Sequence, residues 1–219
     1  PKKMIFNKDI LFIHLGKTGG MSVASYLCQA LQAPVVSVSP FFNEKTKQEG
    51  HEILVKGKRH GNLGYAKKIL VKYGINIFDL KQIIVVVRNP IDLEFSYYKH
   101  LKKPSVIKRK SKSENGKKAL EFAQKSFNEF ALSPITHFDG ELKDYFLLDG
   151  QELPNLKVVK FENLAADIKD TVKNFSIEKE IEFPHKNQNK EGEEMENLSD
   201  LAVQNIKNKY GYIYEKGFY

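Results

Sequence analysis

Five consecutive residues, Gly16-Lys17-Thr18-Gly19-Gly20, set the tightest limit on how this chain can fold. Ahead of them Ile10 to Leu15 is apolar at five of its six positions, which predicts a buried strand. Behind them Val23, Tyr26, Leu27, Ala30 and Leu31 recur at helical spacing between Ser22 and Ala33. A strand, a Gly-rich turn holding one Lys and a helix N-terminus together make an anion cradle. Glycines let backbone N–H groups converge, the helix end carries partial positive charge, and the lysine adds a full one.

At 219 residues the chain is long enough for one sizeable core, so a single domain over 1–219 is expected. No apolar run approaches the roughly 18–20 residues of a membrane span, and the N-terminus does not read as a signal peptide. The expected location is cytoplasmic, although Pro1 where an initiating Met would stand suggests a trimmed chain and leaves a removed anchor open. The single Cys28 falls among the apolar positions of the first helix and reads as a small core residue that asks nothing of an oxidising compartment. The net charge of +8 implies acidic partners, and it is concentrated: residues 99–118 hold nine Lys or Arg against one acid, Glu114. Nucleic acid is not expected as the partner, because there is no zinc-ligand spacing, aromatic-interleaved sheet motif or helix-turn-helix pattern. Residues 99–118 are expected to be a basic, mobile insertion, either a solvated Lys-rich loop or part of a groove for an acidic substrate.

Further strands are predicted at 35–38, 51–56, 83–87 and 156–161, with helices at 63–73, from about 91, at 120–132, 164–175 and 198–209. Residues 39–50 and 184–197 read as loops. Ile83 to Val87 is apolar on both faces, as suits a central parallel strand covered by helices. Strands alternating with helices give an α/β fold, P-loop-like and three-layered, with a central parallel sheet flanked by helices. Ligands in such folds bind beyond the carboxyl ends of the strands, where Gly16-Lys17 and Arg88-Asn89 both fall.

The nucleotide-binding pattern G-x-x-x-x-G-K-[ST] would need its first Gly at position 11, which is Leu11. A magnesium-dependent phosphotransferase also wants an acid at the end of a neighbouring strand, and the strand at 83–87 is followed by Arg88. These residues favour a ligand whose phosphates are held without magnesium. A P-loop kinase or NTPase, and a non-catalytic polyanion-binding protein, remain the alternatives.

The segment Phe12-Ile13-His14-Leu15-Gly16-Lys17-Thr18-Gly19-Gly20-Met21-Ser22 resembles the F-I-H-x-P-K-T-G-G-T-S loop of the sulfotransferases that use 3′-phosphoadenosine-5′-phosphosulfate (PAPS), in particular the carbohydrate-type and bacterial group. It departs from that loop at Gly16 and Met21. The segment from Arg88-Asn89-Pro90 to Ser96-Tyr97-Tyr98 is similar to their R-N-P-x-D-R-x-x-S-x-Y element, with Leu93 in place of the second Arg. Lys160-Phe161-Glu162-Asn163-Leu164 looks like a later R-F-E-N-L element. The resemblance spans roughly 10–219.

The resemblance implies transfer of a sulfuryl group from PAPS to a hydroxyl, with PAP (3′,5′-adenosine bisphosphate) as product and no metal. It implies that Lys17 stabilises the leaving 5′-phosphate, assisted by backbone groups of Gly16 and Thr18, Gly19, Gly20, Met21 and Ser22. It implies that Arg88 and Ser96 hold the 3′-phosphate. Lys186, Asn187 and Asn189 fall in the late loop that closes over the nucleotide in relatives. Lys58-Arg59-His60-Gly61 resembles a basic-His segment that supplies the general base, so His60 is the expected base, His14 a structural neighbour, and His51 and Glu52 reserves. The expected acceptor is an acidic glycan or another carbohydrate.

Overall fold

The apolar runs expected as strands pair into one sheet. The computed structural model describes residues 4–41, 46–49, 52–58, 60–138, 140–176, 181–184 and 195–219. In chain order its first elements are β1 (Met4–Phe6), β2 (Ile10–Ile13), α1 (Gly20–Ala30), β3 (Val35–Ser39), β4 (Thr46–Glu49), β5 (Glu52–Lys56), α2 (Leu63–Leu70) and β6 (Gln82–Val87). Then come α3 (Pro90–Leu101), α4 (Pro104–Lys110), α5 (Glu114–Ala123), α6 (Phe127–Leu132), β7 (Leu147–Leu148), β8 (Gln151–Glu152), β9 (Leu156–Lys160), α7 (Leu164–Val172), α8 (Asp200–Lys209) and α9 (Gly211–Glu215). Contacts divide the chain into two compact units, a sheet unit of Pro1–Val87 with Phe138–Gln188 and a helical unit of Arg88–His137 with Asn189–Tyr219.

In the sheet unit the strand order is β4-β5-β3-β1-β2-β6-β9. β2, β6 and β9 pair in parallel, as do β3 and β5. The expected parallel sheet therefore gains two antiparallel members. β1 lies between β3 and β2 and runs against both. Its turn into β2 is built by Asn7, whose Oδ1 accepts from the N–H groups of Asp9 and Ile10, both at 2.9 Å. Such Asx turns let three apolar residues fold straight back on the next run. β4 corrects the loop expected over 39–50: Thr46–Glu49 is an antiparallel edge strand on β5, a position where backbone pairing suffices without an apolar face.

Strand side chains alternate between faces, so each apolar run serves two cores. Ile10, Phe12, Ile84, Val86 and Val159 pack with Val23, Ala24 and Leu27 of α1 and Leu164, Ile168 and Val172 of α7. The alternate residues Leu11, Ile13, Ile83, Val85 and Val87 are buried on the other face. There Phe6 meets Tyr73, just beyond α2, edge-on at 5.5 Å. Helix, sheet and helix thus form the three layers.

The helical unit begins where a helix is expected from about 91: Pro90 opens α3, and Asn89 caps it by accepting from the Ile91 N–H at 3.0 Å. The basic stretch 99–118, expected as an insertion, spans the end of α3, all of α4 and the first half of α5. Their apolar residues are few but helically spaced, and Val106, Ala119 and Ala123 are buried against Tyr97, Tyr98, Leu101, Phe127 and Phe130. The single helix expected over 120–132 breaks at 124–126, where Ser126 and Glu129 form a reciprocal capping box that starts α6.

α8 docks through polar groups. Asn205 donates to the carbonyls of Ala131 (2.7 Å) and Ser133 (3.3 Å). Lys209 Nζ lies 2.6 Å from Glu94 Oε1, and the Tyr210 hydroxyl donates to Glu94 Oε2 at 2.7 Å. Glu94 is fully buried. Burial pushes its carboxyl above the usual carboxylate range, while the Lys209 charge and the two hydrogen bonds pull it back.

Replacing Lys209 by Met would leave Glu94 buried without its cation. We expect Lys209→Met to lose about 3–5 kcal/mol in urea unfolding at neutral pH. With the folded carboxyl raised further, the native state binds the extra proton, so the variant's stability should fall as pH rises through that range and the deficit should narrow in acid. Wild-type stability at neutral pH would show that the pair does not hold α8.

Candidate functional site

The chain leaves the sheet after Ile13 and reaches α1 through six residues. Lys17 sits at φ 65° and Gly19 at φ 73°, both left-handed. This conformation suits Gly but costs a lysine about 1 kcal/mol or more, an outlier of the kind that clusters at ligand sites. Thr18 is fully buried and donates its hydroxyl inward to the Leu15 carbonyl at 2.7 Å. Any part of Thr18 in holding an anion therefore falls to its backbone. The Gly19 carbonyl accepts from the Ser22 N–H (2.9 Å) and the Val23 N–H (3.3 Å), which starts α1 and directs its first N–H groups out of the helix end. Gly16 is buried, Lys17 and Met21 are half-buried, and Ser22 is buried.

Two glycines make this turn possible by lacking a β-carbon. A Cβ on Gly20 would lie 2.0 Å from Cδ2 and 2.2 Å from Nε2 of His14. One on Gly19 would lie 2.7 Å from Leu164 Cδ2 and 3.0 Å from Phe161 Cε2. The later motif Lys160–Leu164 is thus packed directly against the loop motif, a proximity that sequence spacing could not give. His14 is itself buried, stacked on Phe12 with ring centroids 6.0 Å apart.

His60 follows β5 and precedes α2, whose N-cap is Asn62. Its ring meets that of His14 edge-on at 4.9 Å, and its Nδ1 lies 3.0 Å from the His14 carbonyl. A carbonyl can only accept, so Nδ1 carries the proton, and in the neutral ring Nε2 holds the lone pair. The Tyr145 hydroxyl donates to the His60 carbonyl at 3.1 Å and fixes the segment. The fold therefore brings His60, His14 and Gly20 into one cluster, with His60 in the tautomer a base requires.

Glu52, a reserve base in the sequence reading, is removed from that role. It opens β5 at the opposite end from His60, is buried, and accepts from Ser37 Oγ and, at 3.5 Å, from Cys28 Sγ. Lys186, Asn187, Asn189 and His51 lie outside the described residues.

In the helical unit Arg88 is the first residue, half-buried and directly following β6. The Asn89 cap and Pro90 turn the chain into α3, where Ser96 is the seventh residue and is buried. Nothing local in the sequence singles out Glu94, two residues before it. Its partners Lys209 and Tyr210 lie more than a hundred residues on, and no local pattern links them. Among the described residues no group of three or more His, Cys, Asp or Glu gathers as a metal site would, and no helix is long and apolar enough to cross a membrane.

A family model described as the sulfotransferase family matches residues 4–212. No curated protein and no solved structure matches the chain.

Gly20→Ala tests the close approach with a sign that helix propensity cannot mimic. In a helix Ala normally gains about 1 kcal/mol over Gly. Here the methyl must displace the His14 ring, and a loss of about 1–3 kcal/mol is expected in thermal or urea unfolding. A stabilised variant would mean that His14 yields at no cost.

Proposed function

The chain belongs to the sulfotransferase family, and on that premise we propose that it moves the sulfuryl group of PAPS to a hydroxyl of a carbohydrate. The observation that carries this reading is Lys17, held left-handed in the turn that opens α1. A cationic side chain beside a helix N-terminus, with glycines admitting close approach, fits a terminal phosphate. The residue after β6 is Arg88, where a magnesium-dependent site would want an acid, and this supports an anion gripped by protein groups.

Bound PAPS supplies an activated sulfuryl group whose S–O bond to the 5′-phosphate breaks as the acceptor oxygen bonds to sulfur. In this reading Lys17 and the backbone N–H groups of Thr18 to Ser22 stabilise the charge that grows on that 5′-phosphate, the electrostatic role that dominates such transfers. Gly16 lets the chain pass where relatives have Pro, and Met21 contributes its backbone alone. Arg88 and Ser96 hold the 3′-phosphate, the feature that separates PAPS from ordinary nucleotides. The resemblance assigns Lys186 and Asn187 to the same nucleotide. His60 takes the acceptor's proton at Nε2, while its Nδ1–H stays on the His14 carbonyl.

Calorimetry with PAP and with ATP–magnesium tests the donor: PAP should bind and ATP–magnesium should not compete, whereas preference for ATP would overturn the reading. Turnover is measured with radiolabelled PAPS across a panel of acceptors. Lys17→Ala is expected to lower the rate about 10²–10³-fold. His60→Ala should cost about 10²–10⁴-fold with PAP affinity retained. Near-wild-type turnover in His60→Ala would remove it as the base. PAP binding without turnover on any acceptor would favour a non-catalytic protein on this fold.

A further inference from the structure

The helical unit holds a charge distribution that the transfer chemistry leaves unexplained. Residues 99–118 carry nine basic side chains and one acid, which leaves 26 of each sign in the rest of the chain. The entire net charge of +8 therefore resides in these twenty residues. They are not a loose tail. Val106, Ala119 and Ala123 are buried beneath them, and Ser113 caps α5 by accepting from the Gly116 N–H. A Cβ on Gly116 would lie 2.0 Å from the Lys110 carbonyl, so α4 and α5 meet at a corner that only glycine permits. The apolar side faces in and the charges face out on a fixed scaffold.

Lys102 and Lys110 lie over the rings of Tyr98 and Tyr97, and Lys117 pairs with Glu114. Lys103, Lys108, Arg109, Lys112 and Lys118 are exposed, and none forms an ion pair with a described residue. The helix dipole favours basic residues in the last turn of α4, which accounts for Lys108, Arg109 and Lys110 but not for the others. Like charges held this close repel, and a polyanion relieves that repulsion by neutralising them, with release of its own counterions as a further gain.

We infer that the α4–α5 corner is a docking surface for a linear anionic polysaccharide, one already bearing sulfate or carboxylate groups. Eight of the nine basic residues are lysines, which act as point charges. They suit a polyanion held by charge and spacing, without the bidentate geometry that an arginine fork reads. The nearby aromatics Tyr97 and Tyr98 are buried, so no stacking platform for bases is offered. Val106 is buried too, which leaves only Ile107, 37% exposed, as an apolar wedge, too little for a membrane-lying helix. The inference rests on the reading of the acceptor as a carbohydrate, but the surface needs neither PAPS nor turnover to bind.

The test uses the full chain and a fourfold variant, Lys108→Gln, Arg109→Gln, Lys112→Gln and Lys118→Gln, all at exposed positions outside the transfer machinery. A fluorescent heparin oligosaccharide is titrated by anisotropy over a salt series, beside a DNA strand of equal charge and phosphatidylserine vesicles. Heparin should bind with a steep salt dependence, and the variant should bind it about tenfold or more weakly with a shallower slope. Its melting temperature and PAP affinity should not move. Absent heparin binding, unchanged affinity in the variant, or tighter binding of DNA or vesicles would each overturn the inference. Heparin binding lost in the variant while PAP fails to bind wild type would leave this surface standing and remove the PAPS reading.

Discussion

A β-carbon at Gly20 would stand 2.0 Å from the His14 ring, and one at Gly19 would stand 2.7 Å from Leu164. The loop is thus pressed between the end of its own strand and the start of α7, and its curvature follows from that confinement. Core packing on the α1 face sets α1 and α7 against β2, β6 and β9, which leaves the connecting turn little room. Interiors at crystal-like density deform in discrete steps, so the turn takes the one path two glycines allow. Lys17 accepts a left-handed backbone as a result, and its position is fixed by packing several residues away.

The helical unit is ordered by a different force. Glu94, Lys209 and Tyr210 meet out of water, where an ion pair gains little net stability over apolar residues but penalises any arrangement that separates its members. α3 carries Ser96 two residues from Glu94, so the contact that docks α8 also restricts how α3 can rotate or slide. A greasier contact would tolerate several registers. The two donors gathered on Glu94 favour one.

Much of the scaffold was legible because local chemistry and tertiary outcome agree there. Ile10–Ile13 and Ile83 to Val87 are apolar on both faces and had to be covered twice. Pro90 is a start signal with a mechanism, whereas the Ser126-x-x-Glu129 box was hidden inside an amphipathic run that read as one helix. What stayed hidden depends on distance along the chain. β4 has no apolar pattern and exists because β5 offers an edge. The packing of Phe161 and Leu164 on Gly19 joins segments some 140 residues apart, and the contact of Glu94 with Lys209 spans 115. Residues 103–118 hide their helices for another reason: eight charges there mask Val106, while Ala119 and Ala123, which also decide whether α4 and α5 can pack, lie just beyond them.

The cradle and the histidine cluster share one strut. The carbonyl of His14 accepts from His60 Nδ1, while its ring fills the space above Gly20. One residue therefore sets the tautomer of His60 and the entry of α1 together. A shift of the His14 backbone would change the direction of the His60 lone pair and the aim of the helix N-terminus in the same movement. Under the proposed function, proton acceptance and anion binding, which need separate groups, would both be referred to a single point at the end of β2. The buried stack of His14 on Phe12 ties that point to the sheet core, the least deformable part of the unit. For the proposed transfer, which would have to align an attacking oxygen, a transferred group and a leaving phosphate within a fraction of an ångström, one reference serves better than two.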